Sequence, residues 1–112
     1  MTRLYLSGPV TGKPDGNYKK FLSAGRILSD AGYLVTIPQG IVDEDSSHDD
    51  AVIVCINELT SHAWSDGPLP SYDGVALLPG WEQSEGARLE KAVAEACGIP
   101  VKTVDEWIEE AR

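Results

Sequence analysis

The chain has 112 residues, 42% of them hydrophobic and 24% charged, with a formal net charge of −9. That length suits one domain spanning 1–112, and the balance supports a packed core and argues against disorder. So acidic a surface repels polyanions and argues against long DNA or RNA as a partner. One small phosphorylated ligand stays open, because backbone N–H groups at a helix N-terminus can hold it without a basic patch.

Residues 3–7, Arg-Leu-Tyr-Leu-Ser, read as a first strand that stops at Gly8-Pro9. Residues 11–16 are loop by composition, and Asn17 suits a helix N-cap. Phe21, Leu22, Leu28 and Ala31 follow at helical spacing, and Gly32 suits the end of that helix. A second strand covers 33–37 and stops at Pro38-Gln39-Gly40. After an acidic loop, Ser46 or Ser47 can cap a helix running to about residue 62. Its apolar side is Ala51, Val52, Cys55, Ile56 and Leu59. Gly67-Pro68 and Pro70 make 64–72 a loop. Residues 74–78 are continuously apolar, as a parallel strand buried on both faces requires, and Pro79-Gly80 stops it. A third helix is expected over about 82–97, ended by Gly98, then a short strand at 99–101 and a helix at 104–111.

Strands alternating with helices at this spacing predict a small doubly wound, Rossmann-like α/β sheet of about four parallel strands, with helices on both faces. Right-handed crossovers put the strand C-terminal ends on one edge, where such sheets bind ligands. The Gly and Pro residues that end the first three strands mark that edge, although any strand must end in a turn. No run of about 18 apolar residues exists, so no membrane span is expected. The N-terminal apolar stretch is too short for a signal-peptide core, so a cytoplasmic location is expected. Cys55 and Cys97 both fall on apolar helical faces and read as buried reduced thiols. His48 and His62 stand apart from any metal-ligand spacing, and no metal is expected.

The third helix poses the functional question. Glu82 and Glu85 lie in or near its first turn, where they offset the helix dipole. Glu90 lies more than a turn further in, where that reason has faded. With Leu89, Ala92, Val93, Ala96 and Cys97 as the core stripe, Glu90 sits about 100° round from Leu89, at the border of the buried face. Gly86, four residues earlier, shares its side of the helix. A glycine within a helix costs about 1 kcal/mol relative to alanine. Either a ligand cleft or close helix–sheet packing would account for it. Ser84 offers a hydroxyl and a free N–H that could cradle an anion with the N–H groups of Glu85 and Gly86, or could simply cap the helix. Arg88 projects from another face.

Ser84-x-Gly86-x-x-x-Glu90 after a buried strand resembles the site motif of the nucleoside 2-deoxyribosyltransferase superfamily, which includes the 2′-deoxynucleoside 5′-phosphate N-hydrolases. Tyr5-Leu6-Ser7-Gly8-Pro9-Val10-Thr11-Gly12, Asn17-Tyr18-x-x-Phe21 and Leu77-Leu78-Pro79-Gly80-Trp81 are similar to its short branch of uncharacterised phage and bacterial proteins. The resemblance spans most of the chain and weakens between about residues 40 and 70. It implies cleavage of an N-glycosidic bond, with Glu90 attacking C1′ of the sugar and Tyr5 orienting the carboxylate. It implies substrate contacts at Ser7, Gly8, Pro9, Asn17, Gly80, Trp81, Ser84 and Gly86. Ser84 stands where the transferases carry an acid, which favours a 5′-monophosphate substrate. The acid that protonates the leaving base would be Asp66, with Asp73 next, although Asp73 also suits a strand start bonded to backbone. No metal or organic cofactor is implied. The resemblance implies a homodimer or larger homo-oligomer whose neighbour closes the pocket; Trp64, Trp81 and Trp107 are open to interface or core roles. Transfer between bases, and nucleotide binding without turnover, are the alternative readings.

Overall fold

Arg3–Ser7 forms β1. Successive strand side chains point to opposite faces, so Leu4 and Leu6 enter one side of the sheet, and Tyr5 and Ser7 the other. The remaining elements are α1 (Tyr18–Asp30), β2 (Leu34–Thr36), α2 (His48–Leu59), β3 (His62–Trp64), β4 (Pro68–Pro70), β5 (Gly74–Leu77), α3 (Glu85–Ala96), β6 (Val101–Thr103) and α4 (Val104–Glu110). The structure, a computed structural model, describes residues 2–10, 12–43, 45–64 and 68–112.

The main sheet runs β2-β1-β5-β6 with every pair parallel. Tyr5 lies opposite Thr36 on one side and Val75 on the other. The chain steps from β1 outward to β2, then crosses to β5 on the far side of β1. The direction of winding therefore reverses between β1 and β5, which is where a doubly wound sheet opens a crevice at its C-terminal edge. Helices cover both faces. Phe21, Ala24 and Leu28 of α1 and Val104 and Trp107 of α4 pack with Leu4, Leu6 and Ala76. Cys55 and Leu59 of α2 and Ala94 of α3 pack with Tyr5, Val75 and Leu77. The expected doubly wound α/β architecture is the observed one.

Local sequence chemistry explains several boundaries. Ser47 caps α2 by accepting from the Asp50 N–H at 3.2 Å. Thr103 and Glu106 form a reciprocal capping box at α4. Gly74 opens β5 because the Trp107 ring occupies its side-chain space; an added Cβ would lie 2.3 Å from that ring. The Trp107 indole donates to the Val75 carbonyl at 2.8 Å, which makes this tryptophan a core residue.

Five expectations change. The stretch expected as loop over 64–72 contains β4, which pairs antiparallel with β3 in a separate two-stranded ribbon. Pro68 and Pro70 are tolerated because an edge strand leaves the missing N–H groups without a ladder partner to disappoint. The third helix does not begin at 82: Trp81–Gln83 is a 3-10 turn, and the α-helix starts at Glu85. Its core stripe is also rotated. Ala87, Glu90 and Ala94 are buried, whereas Leu89 is 44% exposed and Ala92, Ala96 and Cys97 face outward. Small alanines let this helix approach the sheet, and Leu89 is left outside. Cys97 follows the helix as its C-terminal cap and is exposed; only Cys55 matches the expected buried thiol. Leu22, assigned to the inward face of α1, is likewise exposed. Among the described residues, no helix is long and apolar enough to cross a membrane.

Candidate active site

Glu90 is 7% exposed, on the inward face of α3. Two donors from β1 hold its carboxylate. The Tyr5 hydroxyl donates to Oε2 at 2.5 Å, and the Ser7 hydroxyl donates to Oε1 at 2.7 Å. Tyr5 and Ser7 are two apart on one strand and so share a face. The helix offers one carboxylate to that face, and each oxygen receives a separate donor. Ser7 is fully buried, so its hydroxyl serves to hold the carboxylate. Burial raises the Glu90 pKa above the ordinary glutamate range, and the hydrogen bonds from Tyr5 and then Ser7 oppose that rise. Burial, with the Glu90 charge beside it, raises the Tyr5 pKa and keeps the phenol protonated as a donor.

Cys55 of α2 packs in the same buried cluster as Tyr5, and burial raises its pKa too. No sequence signal pointed to this contact, which joins positions 50 residues apart on different elements. Behind Tyr5, the Tyr72 ring packs edge-on at 5.7 Å, and the Tyr72 hydroxyl donates to Glu58 at 2.7 Å. Tyr5 is therefore held on its ring as well as at its hydroxyl.

The space around Glu90 is set by Gly86. Among the described residues, a Cβ built at Gly86 meets nothing within 4 Å. Close packing against the four-stranded sheet therefore does not account for this glycine, and no described residue covers the helix face one turn above Glu90. Ser84 caps α3, accepting from the Ala87 N–H at 3.2 Å. Its own N–H donates to the Trp81 carbonyl at 3.0 Å and is not free, contrary to expectation. Trp81 and Ser84 belong to one tight turn, which consumes that donor. The N–H groups of Glu85 and Gly86, at the first two helical positions, have no partner within the helix, as helix geometry requires.

The other expected site residues gather at the same edge for mixed reasons. At Gly8 an added Cβ would lie 2.7 Å from the Leu78 Cβ, so glycine is required there by the packing of the β1 and β5 ends. Gly80 has φ +90°, and its side-chain direction points to Pro9 at 3.5 Å, which brings the two strand-end loops together. Trp81 packs partly buried against the core, with the Lys91 ammonium 5.6 Å from its ring centroid. Asn17 precedes α1 as expected, but with left-handed φ 65° and no capping hydrogen bond; it is 8% exposed. Asp73 is exposed just before β5 and accepts from the Arg3 N–H at 2.8 Å, as its strand-start reading expects. Asp66 lies outside the described residues. Among the described residues, no three His, Cys, Asp or Glu side chains converge as metal ligands would.

Residues 2–103 match a family described as Domain of unknown function (DUF4406). The chain belongs to the DUF4406 family. The match runs from before β1 to the end of β6 and so includes Tyr5, Ser7 and Glu90. A search of curated proteins finds no match.

Proposed function

We propose that this DUF4406 protein cleaves the N-glycosidic bond of a ribo- or deoxyribonucleoside 5′-monophosphate, with Glu90 as the nucleophile. The observation that carries the reading is the buried Glu90 carboxylate, held at both oxygens by Tyr5 and Ser7 beneath the face at Gly86 that no described residue covers.

In the first step a Glu90 oxygen bonds to C1′ of the sugar. The C1′–N bond breaks and its electron pair leaves with the base, which takes a proton from an acid or from water. The ionised carboxylate stabilises the positive charge that develops at C1′. Tyr5 and Ser7 keep the attacking group in one orientation, which lowers the entropy lost on reaching the transition state. In the second step water attacks C1′, the ester bond to Glu90 breaks, and the carboxylate is restored as the water proton departs. A second base in place of water would make the reaction a transfer. The 5′-phosphate would sit at the start of α3, against the N–H groups of Glu85 and Gly86, where the helix dipole favours negative charge. Asp66 is the proposed proton donor, and the resemblance adds a homo-oligomer whose neighbour closes the pocket.

One observation favours a second reading. A carboxylate whose two oxygens each accept a hydrogen bond has its lone pairs engaged and is a weaker nucleophile than a free one. That suits a protein that binds a nucleotide without turning it over. Incubating wild type and Glu90→Ala with ribo- and deoxyribonucleoside monophosphates and the matching nucleosides separates the two. Free base from one substrate class, absent with the variant, supports the glycosidic reading. No base from any of them, with a nucleotide still raising the thermal midpoint, supports binding. A new nucleoside on addition of a second base identifies transfer.

A further inference from the structure

We propose that the open edge of β2 and the adjoining flank of α1 form an interface with a second copy of this chain, paired about a two-fold axis near Val35. The inference does not depend on the glycosidic reading. A groove of about 520 Å³ runs along this flank, with Phe21, Leu22, Val35 and Ile37 among its apolar lining and Arg26, Ser29 and Asp30 as its polar residues. Leu22 and Leu34 stand at it 46% and 49% exposed.

The backbone of β2 suits self-pairing. Among the described residues, β2 is an edge strand bonded only to β1. The Leu34 N–H points toward β1, where it donates to the Thr2 carbonyl at 2.9 Å. Alternation then turns the N–H and C=O of Val35 outward. The neighbouring outward groups are partly used: the Tyr33 N–H donates to Leu28, and the Ile37 carbonyl accepts from Gly40. Among the three outward-facing residues, only Val35 has neither its donor nor its acceptor engaged by these bonds. An antiparallel hydrogen-bonded pair needs one donor and one acceptor from each strand, and two copies of Val35 supply them to each other.

The charges on the groove are also self-complementary. Its charged lining residues are Arg26 and Asp30, one of each sign, on a chain whose net charge is −9. They lie four apart on α1, both exposed, and are not ion-paired with each other. A two-fold interface sets residue i against j and j against i. Antiparallel copies of α1 would therefore place Arg26 against the other chain's Asp30 twice, with no like charges opposed.

Sedimentation equilibrium on the full chain tests this, with Leu34→Lys, Arg26→Asp and Asp30→Arg, all at exposed positions and each checked for folding by circular dichroism. The wild type is expected to be a dimer, and each variant to dissociate about tenfold more readily or beyond. An equimolar mixture of Arg26→Asp and Asp30→Arg is expected to recover the dimer as a heterodimer, because each chain then carries the charges that the other lacks. A monomeric wild type overturns the proposal. So does a dimer indifferent to all three substitutions, or a mixture that stays as dissociated as its components.

Discussion

The Tyr5 hydroxyl and the Glu90 carboxylate meet at 2.5 Å across 85 positions of sequence, and both residues are buried. Tyr5 comes from the middle of the first strand and Glu90 from the middle of the third major helix. Their contact ties β1 to α3 and fixes one carboxylate oxygen, while Ser7 fixes the other. The behaviour of that carboxylate with pH and substitution follows from this arrangement.

Glu90→Gln is expected to raise stability at neutral pH while abolishing the proposed chemistry. Burial raises the folded-state pKa of Glu90 above its ordinary value of 4.5, so the folded chain binds this proton more tightly than the unfolded chain. Stability therefore falls as pH rises from that ordinary value through the raised one, because the folded state must then hold a buried charge. Glutamine removes that cost, can accept from Tyr5, and can donate to the Ser7 oxygen. The thermal midpoint of Glu90→Gln should exceed that of wild type at pH 7, and the difference should shrink as pH falls toward 4.5. Thermal melts of both proteins across that range check it; a gap that widens on acidification would contradict the assigned direction.

Tyr5→Phe keeps the ring against Tyr72 but leaves Oε2 without its donor. Loss of a hydrogen bond to a buried carboxylate costs about 1–3 kcal/mol, so the melting midpoint at neutral pH should drop. The Tyr5 hydrogen bond also lowers the Glu90 pKa, and its removal should move the acid limb of any Glu90-dependent activity to higher pH. An unmoved acid limb with full stability would mean that the hydroxyl does not hold the carboxylate.

Gly86→Ala and Gly74→Ala should differ in sign. At Gly86 the methyl meets no described residue, and alanine favours helix by up to about 1 kcal/mol, so stability should hold or rise. Nucleotide binding should weaken if the face above Glu90 admits a ligand. At Gly74 the methyl collides with the Trp107 ring, an overpacking that costs about 1–3 kcal/mol or more. Paired denaturant melts and nucleotide titrations of the two variants read both effects.

The two thiols should react at different rates. Cys97 is exposed at the end of α3 and should be modified by a thiol reagent in the native protein. Cys55 is buried with a pKa raised by burial and should react only when the chain opens. Mass spectrometry of the labelled peptides with and without denaturant distinguishes them, and native labelling at Cys55 would place its helix differently.

The alternation of apolar strands and helical segments was readable residue by residue, because period and punctuation are local properties. Arg3–Ser7 as the first strand, the buried run from Gly74, and Ser47 as one of two candidate caps all depend on near neighbours in sequence. The capping box at Thr103 and Glu106 was equally local, and its signal stood in the sequence as Thr-x-x-Glu. The position and spacing of Glu90 marked it as a residue without an ordinary helical reason. Tertiary structure decided which way it faces. Helical periodicity defines stripes but does not choose among them when alanines line several sides, and Leu89 favoured the wrong one. The sheet made the choice: Tyr5 and Ser7 present two donors that must be satisfied once buried, and Glu90 is the acceptor that turns α3 toward them. The same distinction holds for glycine. Sequence shows that Gly8, Gly74 and Gly86 lack side chains; the tertiary structure shows that Leu78 and Trp107 fill the space at the first two, while no described residue fills it at the third.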